Sequence, residues 1–476
     1  MKSVVLYPGM GVGHLTPMVE LAKVFLQHGV AVTVALIEPP TKSPDFSAVV
    51  ARAAAANPSV TYHVLPPPPP PPPAAPAGSS SDDGSPAHPI FLMFEHLRAM
   101  NAPLRDFLGS LPAVDALVID MFCSAALHVA AELKLPTYYF FASGAGDLAA
   151  FLYLSRLSMT DSFPELVGDD SILSLPGVPP LKAWDMPKEI TNGTTGAKAI
   201  LRALDRMPEA DGILVNTFES LETRAVRALR DGLCVPDHST PPVYCIGPLV
   251  SGGGGGKDHE CLRWLDTQPD NSVVFLSFGS MGTFPKKQLE ETAMGLEKSG
   301  QRFLWVVRSP REPDAKFGQP LPEPDLDALL PEGFLERTKD RGLVVKSWAP
   351  QVDVLRHGAT GAFVTHCGWN STLEGITAGL PLLCWPMYAE QGMNKVFIVE
   401  EMKLGVEMKG YNEDVVKAEE VETKVRWVLE SKDGQALRKR VEEVKDRAME
   451  ALKEGGSSHA AFVEFLKDLA GIKKFS

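Results

Sequence analysis

A histidine and two small polar residues lie where a strand is predicted to run into a helix. The apolar run from Gly361 to His366 is typical of a short buried strand, and Asn370 to Gly379 has the pattern of a helix. The first N–H groups of a helix lack intrahelical partners and lie at the positive end of its dipole. With the side chains of His366, Asn370 and Ser371, this helix start predicts a diphosphate site that needs no metal.

The residues around this predicted anion site suit the other parts of a nucleotide sugar. Glu374 lies one turn into the same helix, where its carboxylate can accept hydrogen bonds from ribose hydroxyl groups. Trp348 offers a flat face on which a base can stack. Glu390 and Gln391 follow the apolar run Leu380–Trp385 and can bind sugar hydroxyl groups. The order of these residue types predicts a nucleotide-sugar site.

Each of these residues also has a purely structural interpretation. Trp348 and Trp369 could be core aromatic residues, and His366 could be a satisfied buried histidine. Cys367 adjoins His366, but adjacent strand residues point to opposite faces and no second pair follows, which disfavours a metal site. The functional interpretation is preferred for the whole block, because a core requires apolar periodicity and not this order of polar residue types.

A second candidate group lies at the amino terminus. Ser3–Tyr7 predicts a strand, and Pro8–Gly13 predicts a glycine-rich turn. Leu15–His28 predicts a helix in which Thr16 is the N-cap and Pro17 occupies the first helical position. A strand, a glycine-rich turn and a helix in this order are also how a dinucleotide-binding domain begins.

A dinucleotide site is therefore one interpretation of this turn. Glu38 lies near the end of the next apolar run, Val30–Ile37, where an NAD-binding acidic residue would stand. Gly9 and Gly11 fit the first two positions of the pattern G-x-G-x-x-G, but the third position falls on His14. Because histidine does not permit the close helix–strand packing that glycine permits, the spacing disfavours a nicotinamide cofactor.

His14 instead suits general base catalysis, since an imidazole with an ordinary pKa of about 6.5 is an effective base at neutral pH. Asp120 ends the apolar run Ala116–Ile119, so it should emerge at the carboxyl edge of a parallel strand, where Gly13 and His14 also lie. We therefore predict that Asp120 orients His14 in a catalytic dyad. Taken alone, His14 could be a polar loop residue and Asp120 a cap at the end of a strand.

The stretch from Trp348 to Gln391 closely resembles, without a gap, the donor-binding signature of the plant family 1 UDP-sugar glycosyltransferases. The resemblance implies uracil contacts at Trp348 and Ala349, ribose contacts at Gln351 and Glu374, diphosphate contacts at His366, Asn370 and Ser371, and hexose contacts at Trp369, Glu390 and Gln391. Gly368 is counted with these donor-binding residues. Because members that end the block in Gln usually take UDP-glucose, Gln391 favours glucose over galactose.

Ser280 is a further predicted donor ligand. It follows the predicted strand Val273–Ser277, and Phe278-Gly279-Ser280 is similar to the family's other phosphate contact. An ordinary turn stabilised by a serine hydroxyl would explain this short pattern almost as well.

The same resemblance assigns roles to the amino-terminal dyad: His14 deprotonates the acceptor hydroxyl group, and Asp120 balances the imidazolium. The expected reaction is an inverting displacement at the anomeric carbon of UDP-glucose that gives a β-glucoside. UDP is a good leaving group, so preorganised N–H donors suffice to stabilise its charge. We expect no metal and no cofactor, with UDP-glucose as a co-substrate.

Strand-like and helix-like runs alternate through most of the chain, which predicts an α/β protein with parallel sheets covered by helices. The resemblance implies the GT-B fold, in which two Rossmann-like, doubly wound domains face each other across a cleft. The predicted parts are an acceptor-binding domain at residues 1–248, a glycine-rich linker at 249–256, a UDP-sugar-binding domain at 257–456 and a helix at 457–476.

The last helix is expected to pack back on the first domain. Ser457 or Ser458 is predicted to cap it, after a break at Gly455 and Gly456. Its apolar face consists of Phe462, Phe465, Leu466 and Leu469.

The composition agrees with a globular protein of two domains. The chain has 476 residues, of which 45% are hydrophobic, and a net charge of -13, which argues against a nucleic-acid surface. The six cysteines lack paired spacing, which predicts free thiols in a reducing compartment, so we expect a cytoplasmic protein. No signal peptide is expected, since Gly and Pro occur too early among the first residues. No membrane insertion is expected, since no apolar run reaches the roughly 18 residues of a membrane span. We also expect a monomer.

The acceptor site is expected in variable loops of the first half. Its candidate residues in the first half are Gly13, Phe122, Phe140, Phe141, Ser143, Phe151 and Trp184 in the segment Leu175–Met186. Tyr388, in the second half, is a further candidate. An aromatic lining favours flat, apolar acceptors such as flavonoids or other small phenols, although each residue could equally belong to a core. Attack through carbon or nitrogen instead of oxygen is an alternative, and a nicotinamide-dependent oxidoreductase is another.

The proline tract Pro66–Pro73 and the biased stretch that follows it to Pro89 predict an extended or disordered surface loop. A ligand for proline-binding modules is an alternative interpretation. The surface loop is preferred, because biased insertions in exposed loops cost little free energy.

Overall fold

The computed structural model describes residues 2–38, 44–68, 89–158, 171–236, 238–254, 259–311 and 321–472. The chain divides into two compact units. Unit 1 consists of residues 1–249 together with 451–476, and unit 2 consists of residues 250–450. Most of the predicted proline-rich loop, residues 69–88, and the end of the predicted linker, residues 255–256, lie outside the described residues.

Unit 1 is built on a parallel sheet of seven strands. Its strands, together with those of a small antiparallel hairpin, are β1 (Ser3–Tyr7), β2 (Ala31–Leu36), β3 (Thr61–Val64), β4 (Ala116–Asp120), β5 (Thr137–Phe141), β6 (Ile172–Leu173), β7 (Leu181–Lys182), β8 (Gly212–Val215) and β9 (Val243–Cys245). The order across the large sheet is β3-β2-β1-β4-β5-β8-β9, and β6 pairs with β7. Tyr7 pairs with Ile119, so the carboxyl ends of β1 and β4 lie side by side.

Helices connect the strands of unit 1. They are α1 (Val12–Gln27), α2 (Pro44–Ala56), α3 (Pro89–Ala99), α4 (Asn101–Ser110), α5 (Ala126–Leu133), α6 (Ala145–Leu157), α7 (Lys188–Thr191), α8 (Thr195–Asp205) and α9 (Thr223–Arg230), with short 3-10 helices at Ala183–Asp185 and Met207–Glu209. Leu15, Met18 and Phe25 of α1 are spaced to lie on one helix face, and they are buried in the same core as strands β1 and β2.

The first helix begins earlier than the sequence predicted. It starts at Val12 with Gly11 as its N-cap, so Thr16 is not the N-cap and Pro17 lies inside the helix. Gly11 has a φ of 125°, which glycine adopts without the strain that a side chain would cause. The glycine conformation therefore sets the helix start, and it places His14 in the first helical turn.

Unit 2 is built on a second parallel sheet, of six strands. These are β10 (Val273–Ser277), β11 (Arg302–Val307), β12 (Gly342–Lys346), β13 (Thr360–Thr365), β14 (Leu382–Cys384) and β15 (Gly405–Glu407), in the order β12-β11-β10-β13-β14-β15. The strand predicted at Val273–Ser277 is confirmed. The central strands are buried along their whole length, as expected of a parallel sheet that is covered on both faces.

The helices of this part of the chain are α10 (Glu260–Leu265), α11 (Lys286–Ser299), α12 (Leu326–Leu329), α13 (Phe334–Thr338), α14 (Gln351–Arg356), α15 (Trp369–Ala378), α16 (Gln391–Val396), α17 (Ala418–Glu430) and α18 (Lys432–Leu452). A π-helical turn at Phe397–Glu401 follows α16. Strand β13 runs into α15, which confirms the strand predicted at Gly361–His366 and the helix predicted at Asn370–Gly379, each to within one residue.

The described part of the glycine-rich stretch is not a free connector. Arg356 donates hydrogen bonds to the carbonyl oxygens of Gly252 and Ser251 at 2.7 and 3.1 Å. Asp353 accepts a hydrogen bond from the N–H of Gly254 at 2.7 Å. These bonds tie residues 251–254 to α14.

The last helix, α19 (Ser457–Ile472), belongs to unit 1. Its residues buried in the core of unit 1 are Phe462, Phe465 and Leu469. Because the helix already includes Ser457, neither predicted serine occupies the N-cap position. The hydroxyl group of Ser458 instead donates to the carbonyl oxygen of Gly247 at 2.5 Å.

Three features concern the described part of the chain as a whole. No helix in it is both long and apolar enough to span a membrane. It also contains no group of three or more His, Cys, Asp or Glu side chains that could hold a metal ion. All six cysteines are buried and free, as the lack of paired spacing predicted.

Candidate active site

His14 and Asp120 meet at the carboxyl edge of the sheet in unit 1. His14 lies in the first turn of α1, which follows β1, and Asp120 is the last residue of the neighbouring strand β4. The Nδ1 atom of His14 lies 2.7 Å from Oδ2 of Asp120, which is a hydrogen-bond distance. The Asp120 side chain is fully buried, whereas 27% of the His14 side chain is exposed. The structure thus brings the predicted dyad together.

Two further groups hold the Asp120 carboxylate. Its Oδ1 atom accepts a hydrogen bond from the N–H of Phe122 at 3.0 Å. A Cβ atom at Gly9 would lie 2.7 Å from the same oxygen, so glycine leaves room that a larger residue would fill. An Asp120 carboxylate that accepts the Nδ1 proton selects the His14 tautomer in which Nε2 can take up a proton. This is the geometry of a general base with an orienting carboxylate.

Aromatic rings border the dyad. The ring of Phe122 lies 5.1 Å from the imidazole of His14, and the ring of Phe94 packs edge-on against Phe122 at 5.8 Å. Phe122 was predicted as an acceptor residue, and the structure places it beside the base. Phe94 was not predicted, because it lies in the apolar pattern of α3 and nothing in that pattern distinguishes it from a core residue.

The other acceptor candidates of unit 1 differ in position. Gly13 is exposed next to His14, and Trp184 is exposed, with the Lys182 ammonium group 4.3 Å from its ring centre. Ser143 is buried, and its hydroxyl group donates to Asp147 at 2.5 Å. The aromatic candidates in the core are Phe140, Phe141 and Phe151. These three offer almost no surface to an acceptor in this structure, which argues against the role predicted for them.

In unit 2 the turn from β13 to α15 has backbone packed closely around an imidazole ring. Gly368 is the N-cap of α15. A Cβ atom at Gly279 would lie 2.5 Å from Nε2 of His366, and a Cβ atom at Gly368 would lie 2.6 Å from the same nitrogen. Asn370 and Ser371 occupy the first turn of α15, where helical N–H groups lack intrahelical acceptors. The predicted anion site is therefore assembled from one strand end and one helix start.

His366 is uncharged near neutral pH. Its residue is only 7% exposed, and burial lowers its pKa from the usual 6.5 to about 4, with the positive charge of Arg308 acting in the same direction. Arg308 also donates a hydrogen bond to the carbonyl oxygen of Ser280, whose own side chain is exposed. A neutral imidazole adds an N–H donor to the site but no full charge.

Gln351 joins three residues around the start of α15. Its Oε1 atom accepts a hydrogen bond from the Ser277 hydroxyl group at 2.8 Å. Its Nε2 atom donates to the Ser371 hydroxyl oxygen at 2.8 Å and to the Glu374 carboxylate at 2.7 Å. Ser277 was not predicted, because a serine at the end of a strand has no distinctive sequence signal. Hydrogen bonds from Gln351 thus orient Ser371, which is predicted to contact the diphosphate, and Glu374, which is predicted to contact the ribose.

Glu374 has an unusual acidity. Burial raises its pKa from 4.5 to about 7, although the hydrogen bond from Gln351 and the charge of Arg356 act in the opposite direction. Near neutral pH this carboxyl group is therefore present in both protonation states. Its ionised form is an acceptor for two hydroxyl groups, as a ribose ligand requires.

Trp348 is exposed to an extent that is unusual for tryptophan, at 54%. Its ring meets the ring of His259 edge to face, with 5.5 Å between the ring centres. Ala349 is buried beside it. Because its methyl side chain has no hydrogen-bonding group, only its backbone is suited to pairing with a base. His259 was not predicted, because it stands apart from the block that carries the other donor residues.

Two of the three residues predicted to bind the hexose, Glu390 and Gln391, lie at the start of α16, and the third, Trp369, is the first residue of α15. Gln391 is 3% exposed, and its Oε1 atom accepts hydrogen bonds from the N–H groups of Met387 and Tyr388, each at 3.0 Å. Glu390 precedes it and is half-buried, and Tyr388 is exposed. Trp369 is only 2% exposed, so its ring offers a ligand almost no surface in this structure.

Known proteins are similar to this chain over nearly its full length. Residues 218–457 match the family described as UDP-glucoronosyl and UDP-glucosyl transferase. The chain is 42% identical to an anthocyanidin 5,3-O-glucosyltransferase of a Rosa hybrid cultivar, over 97% of this chain and 98% of the relative. It is 40% identical to a phloretin 2'-O-glucosyltransferase of Pyrus communis, over 98% and 99%. Phytolacca americana UGT2, solved with UDP-2fluoro-glucose and pterostilbene, matches with a TM-score of 0.84 and 34% identity, over 99% of this chain and 100% of that chain.

Proposed function

Because the chain belongs to the UDP-glycosyltransferase family, we propose that it transfers glucose from UDP-glucose to a hydroxyl group of a flavonoid or another small phenol. The two parallel-sheet α/β units and the similarity to solved UDP-glycosyltransferases assign the chain to the GT-B fold class. The proposed product is an O-β-glucoside. Relatives named as anthocyanidin and phloretin glucosyltransferases support the choice of donor and acceptor class.

The observation that carries this proposal is the contact between the partly exposed His14 and the buried Asp120 at 2.7 Å. A phenol has a pKa of about 10 and is largely neutral at pH 7, so it needs a base as the new bond forms. The neighbouring rings of Phe122 and Phe94 supply apolar surface that suits an aromatic acceptor.

In the proposed reaction the acceptor oxygen attacks the anomeric carbon on the face opposite UDP. Nε2 of His14 takes the phenolic proton, and Asp120 stabilises the imidazolium that forms. The bond from the anomeric carbon to the diphosphate oxygen breaks, and its electron pair leaves with UDP. One displacement of this kind inverts the α-linkage of the donor to a β-linkage.

Charge that develops on UDP would be stabilised by the start of α15 and its neighbouring donors. The helix dipole, its first N–H groups and the neutral His366 would stabilise an anion bound there without reorganisation during the reaction. Gln351, Ser371 and Glu374 are held by one hydrogen-bond network, which suits a ribose and diphosphate bound side by side. We therefore expect transfer that depends on neither a metal nor a cofactor.

The test is a mass-spectrometric assay with UDP-glucose and pooled flavonoids, simple phenols and terpenoid alcohols, in the presence of EDTA. A phenol that gains a hexose, and loses this hexose again on treatment with β-glucosidase, would support the proposal. An adduct that resists both acid and β-glucosidase would instead indicate a C-glucoside. If calorimetry detects no binding of UDP or UDP-glucose, the donor assignment is wrong.

We further expect a monomer. Six buried free thiols support a reducing compartment such as the cytoplasm. Size-exclusion chromatography with light scattering tests the first expectation, and microscopy of the tagged protein tests the second. A dimer that persists at micromolar concentration, or a secreted protein, would contradict them.

A further inference from the structure

Cys367 adopts a backbone conformation that is rare for a residue with a side chain. Its φ is 65°, in the left-handed region, and it is fully buried between His366 and the N-cap residue Gly368. Such a conformation persists only where surrounding contacts hold it. The turn at residues 366–368, which is predicted to meet the diphosphate, therefore needs support from other parts of unit 2.

Asn394 supplies that support from a distant position in the sequence. Its Nδ2 atom donates a hydrogen bond to the carbonyl oxygen of Cys367 at 2.9 Å, and both residues are fully buried. The N–H group of Cys367 donates to Oγ1 of Thr365 at 3.1 Å, which is a local contact within the same turn. The amide of Asn394 is thus a long-range anchor of the Cys367 backbone carbonyl group, while the Cys367 thiol contacts Cys384 and the backbone of Trp385.

Asn394 also belongs to α16, the helix that begins at Gln391. Its own N–H group donates to the carbonyl oxygen of Glu390 at 2.9 Å. The side chain of Gln391, three residues earlier, is held by the backbone of residues 387 and 388. One buried amide therefore joins the turn predicted to bind the diphosphate to the helix start predicted to bind the hexose.

We propose that Asn394 is a positioning residue for donor binding, which fixes the position of the turn at residues 366–368 relative to the start of α16. The inference rests on the proposed function, since it takes this turn as the diphosphate contact of UDP-glucose. The fully buried Asn394 acts through its hydrogen bond to Cys367. Without its amide, a buried carbonyl group loses its partner and the left-handed turn can relax, which displaces His366 and Gly368.

The first test compares Asn394→Ala with the wild-type enzyme and with a matched control. We expect the Kd for UDP and the KM for UDP-glucose to rise by about tenfold, as for the loss of one buried hydrogen bond that supports a ligand. The preference for UDP-glucose over UDP-galactose should narrow as well, because Gln391 lies on the helix that loses its anchor.

The control is Gln288→Ala, on α11. Gln288 is likewise a buried amide of unit 2 that pins a backbone segment, with hydrogen bonds to the carbonyl and N–H groups of Val416 at 2.9 and 2.8 Å. Both variants should lower the thermal midpoint, but the control should bind UDP within twofold of wild type. If Asn394→Ala loses stability like the control yet keeps its UDP affinity and donor ratio, Asn394 is merely structural and the proposal is wrong.

A second variant, Asn394→Asp, keeps the shape of the side chain and tests the proposal if the alanine variant does not fold. In its protonated form the carboxyl group can still donate to the Cys367 carbonyl oxygen, and in its ionised form it cannot. Relative to wild type, its affinity for UDP should therefore fall as the pH rises from about 5 to about 9. Parallel pH profiles for the two proteins would contradict the proposal. Wild-type protein that binds no UDP would instead refute the proposed function itself.

Discussion

Each unit places a histidine at a turn from a parallel strand to a helix, and the two histidines differ in their exposure and in their surroundings. His14 in unit 1 is partly exposed and its Nδ1 atom meets a buried carboxylate at 2.7 Å. His366 in unit 2 is almost fully buried, and its pKa falls to about 4. The same residue type in the same local topology therefore suits a base in one unit and a neutral hydrogen-bond donor in the other.

The difference extends to how each site is held. The dyad of unit 1 consists of two side chains. One backbone N–H group holds the carboxylate, and Gly9 leaves room for it because glycine has no side chain. The site of unit 2 is a network in which Gln351 alone makes three hydrogen bonds. A single substitution should therefore damage the first site more sharply than the second.

Removal of the base should have the largest effect. We expect His14→Ala to lower kcat/KM for a phenolic acceptor by about a thousandfold, since a positioned general base contributes on the order of a hundred- to ten-thousandfold. Binding of UDP, which depends on residues of unit 2, should not change. Steady-state kinetics and calorimetry on the same preparation measure both quantities, and a parallel loss of UDP binding would mean that His14 is structural.

A substitution beside the dyad should have the next largest effect. In Gly9→Ala the new Cβ atom would lie 2.7 Å from Oδ1 of Asp120, so the carboxylate must move away from its place. We expect activity to fall by about a hundredfold, because His14 loses its orienting partner while remaining in place. Gly109→Ala, where a Cβ atom meets nothing within 4 Å, is the control. Equal activity of the two variants would show that the position of Asp120 does not matter.

The buried histidine of unit 2 should be visible in the pH dependence of stability. His366 has a pKa of about 4 when folded and about 6.5 when unfolded, so below pH 6.5 the unfolded state binds more protons. Stability should therefore fall by about 3 kcal/mol between pH 7 and pH 4, and His366→Gln should lack this share. Denaturant unfolding of both proteins at several pH values measures the difference in their free energies of unfolding. A difference that does not change with pH would contradict the prediction.

The smallest effect is expected at the hexose position. Gln391→His replaces the amide oxygen that accepts hydrogen bonds from the N–H groups of Met387 and Tyr388. We expect the ratio of UDP-glucose to UDP-galactose use to fall by about threefold to tenfold, a range typical of small changes in a binding pocket. Competition between the two donors, read by mass spectrometry, measures the ratio. An unchanged ratio would remove Gln391 from the residues that recognise the sugar.

Local patterns predicted the elements that carry these residues. The apolar runs at Ser3–Tyr7, Ala116–Ile119 and Val273–Ser277 are strands of the structure, because a strand buried on both faces leaves a continuous apolar signal. The start of the first helix was misplaced, since Thr16 and Pro17 have the preferences of a cap while the actual start depends on the positive φ of Gly11. Competing cap signals within one turn cannot be ranked from sequence.

The supporting residues of the sites were harder to predict. Ser277 and Asn394 lie far along the chain from the groups that they bind, and a lone serine or asparagine carries no periodic pattern. Phe141 has the residue type of an aromatic pocket, but its position at the centre of a parallel sheet buries it. Burial depends on which strands become neighbours in the sheet, and no single segment of the sequence determines this strand order.

The sequence by itself determined the chemistry that is available: a histidine after the first strand, an aspartate at the end of another strand, and an ordered block of nucleotide-sugar residues. Only the tertiary structure decided which of these groups meet and in what state. The contact between His14 and Asp120 joins residues 106 positions apart, and the acidities of His366 and Glu374 follow from burial that many distant segments create together. Residue types and local patterns are properties of short segments, whereas distances and desolvation are properties of the packed chain.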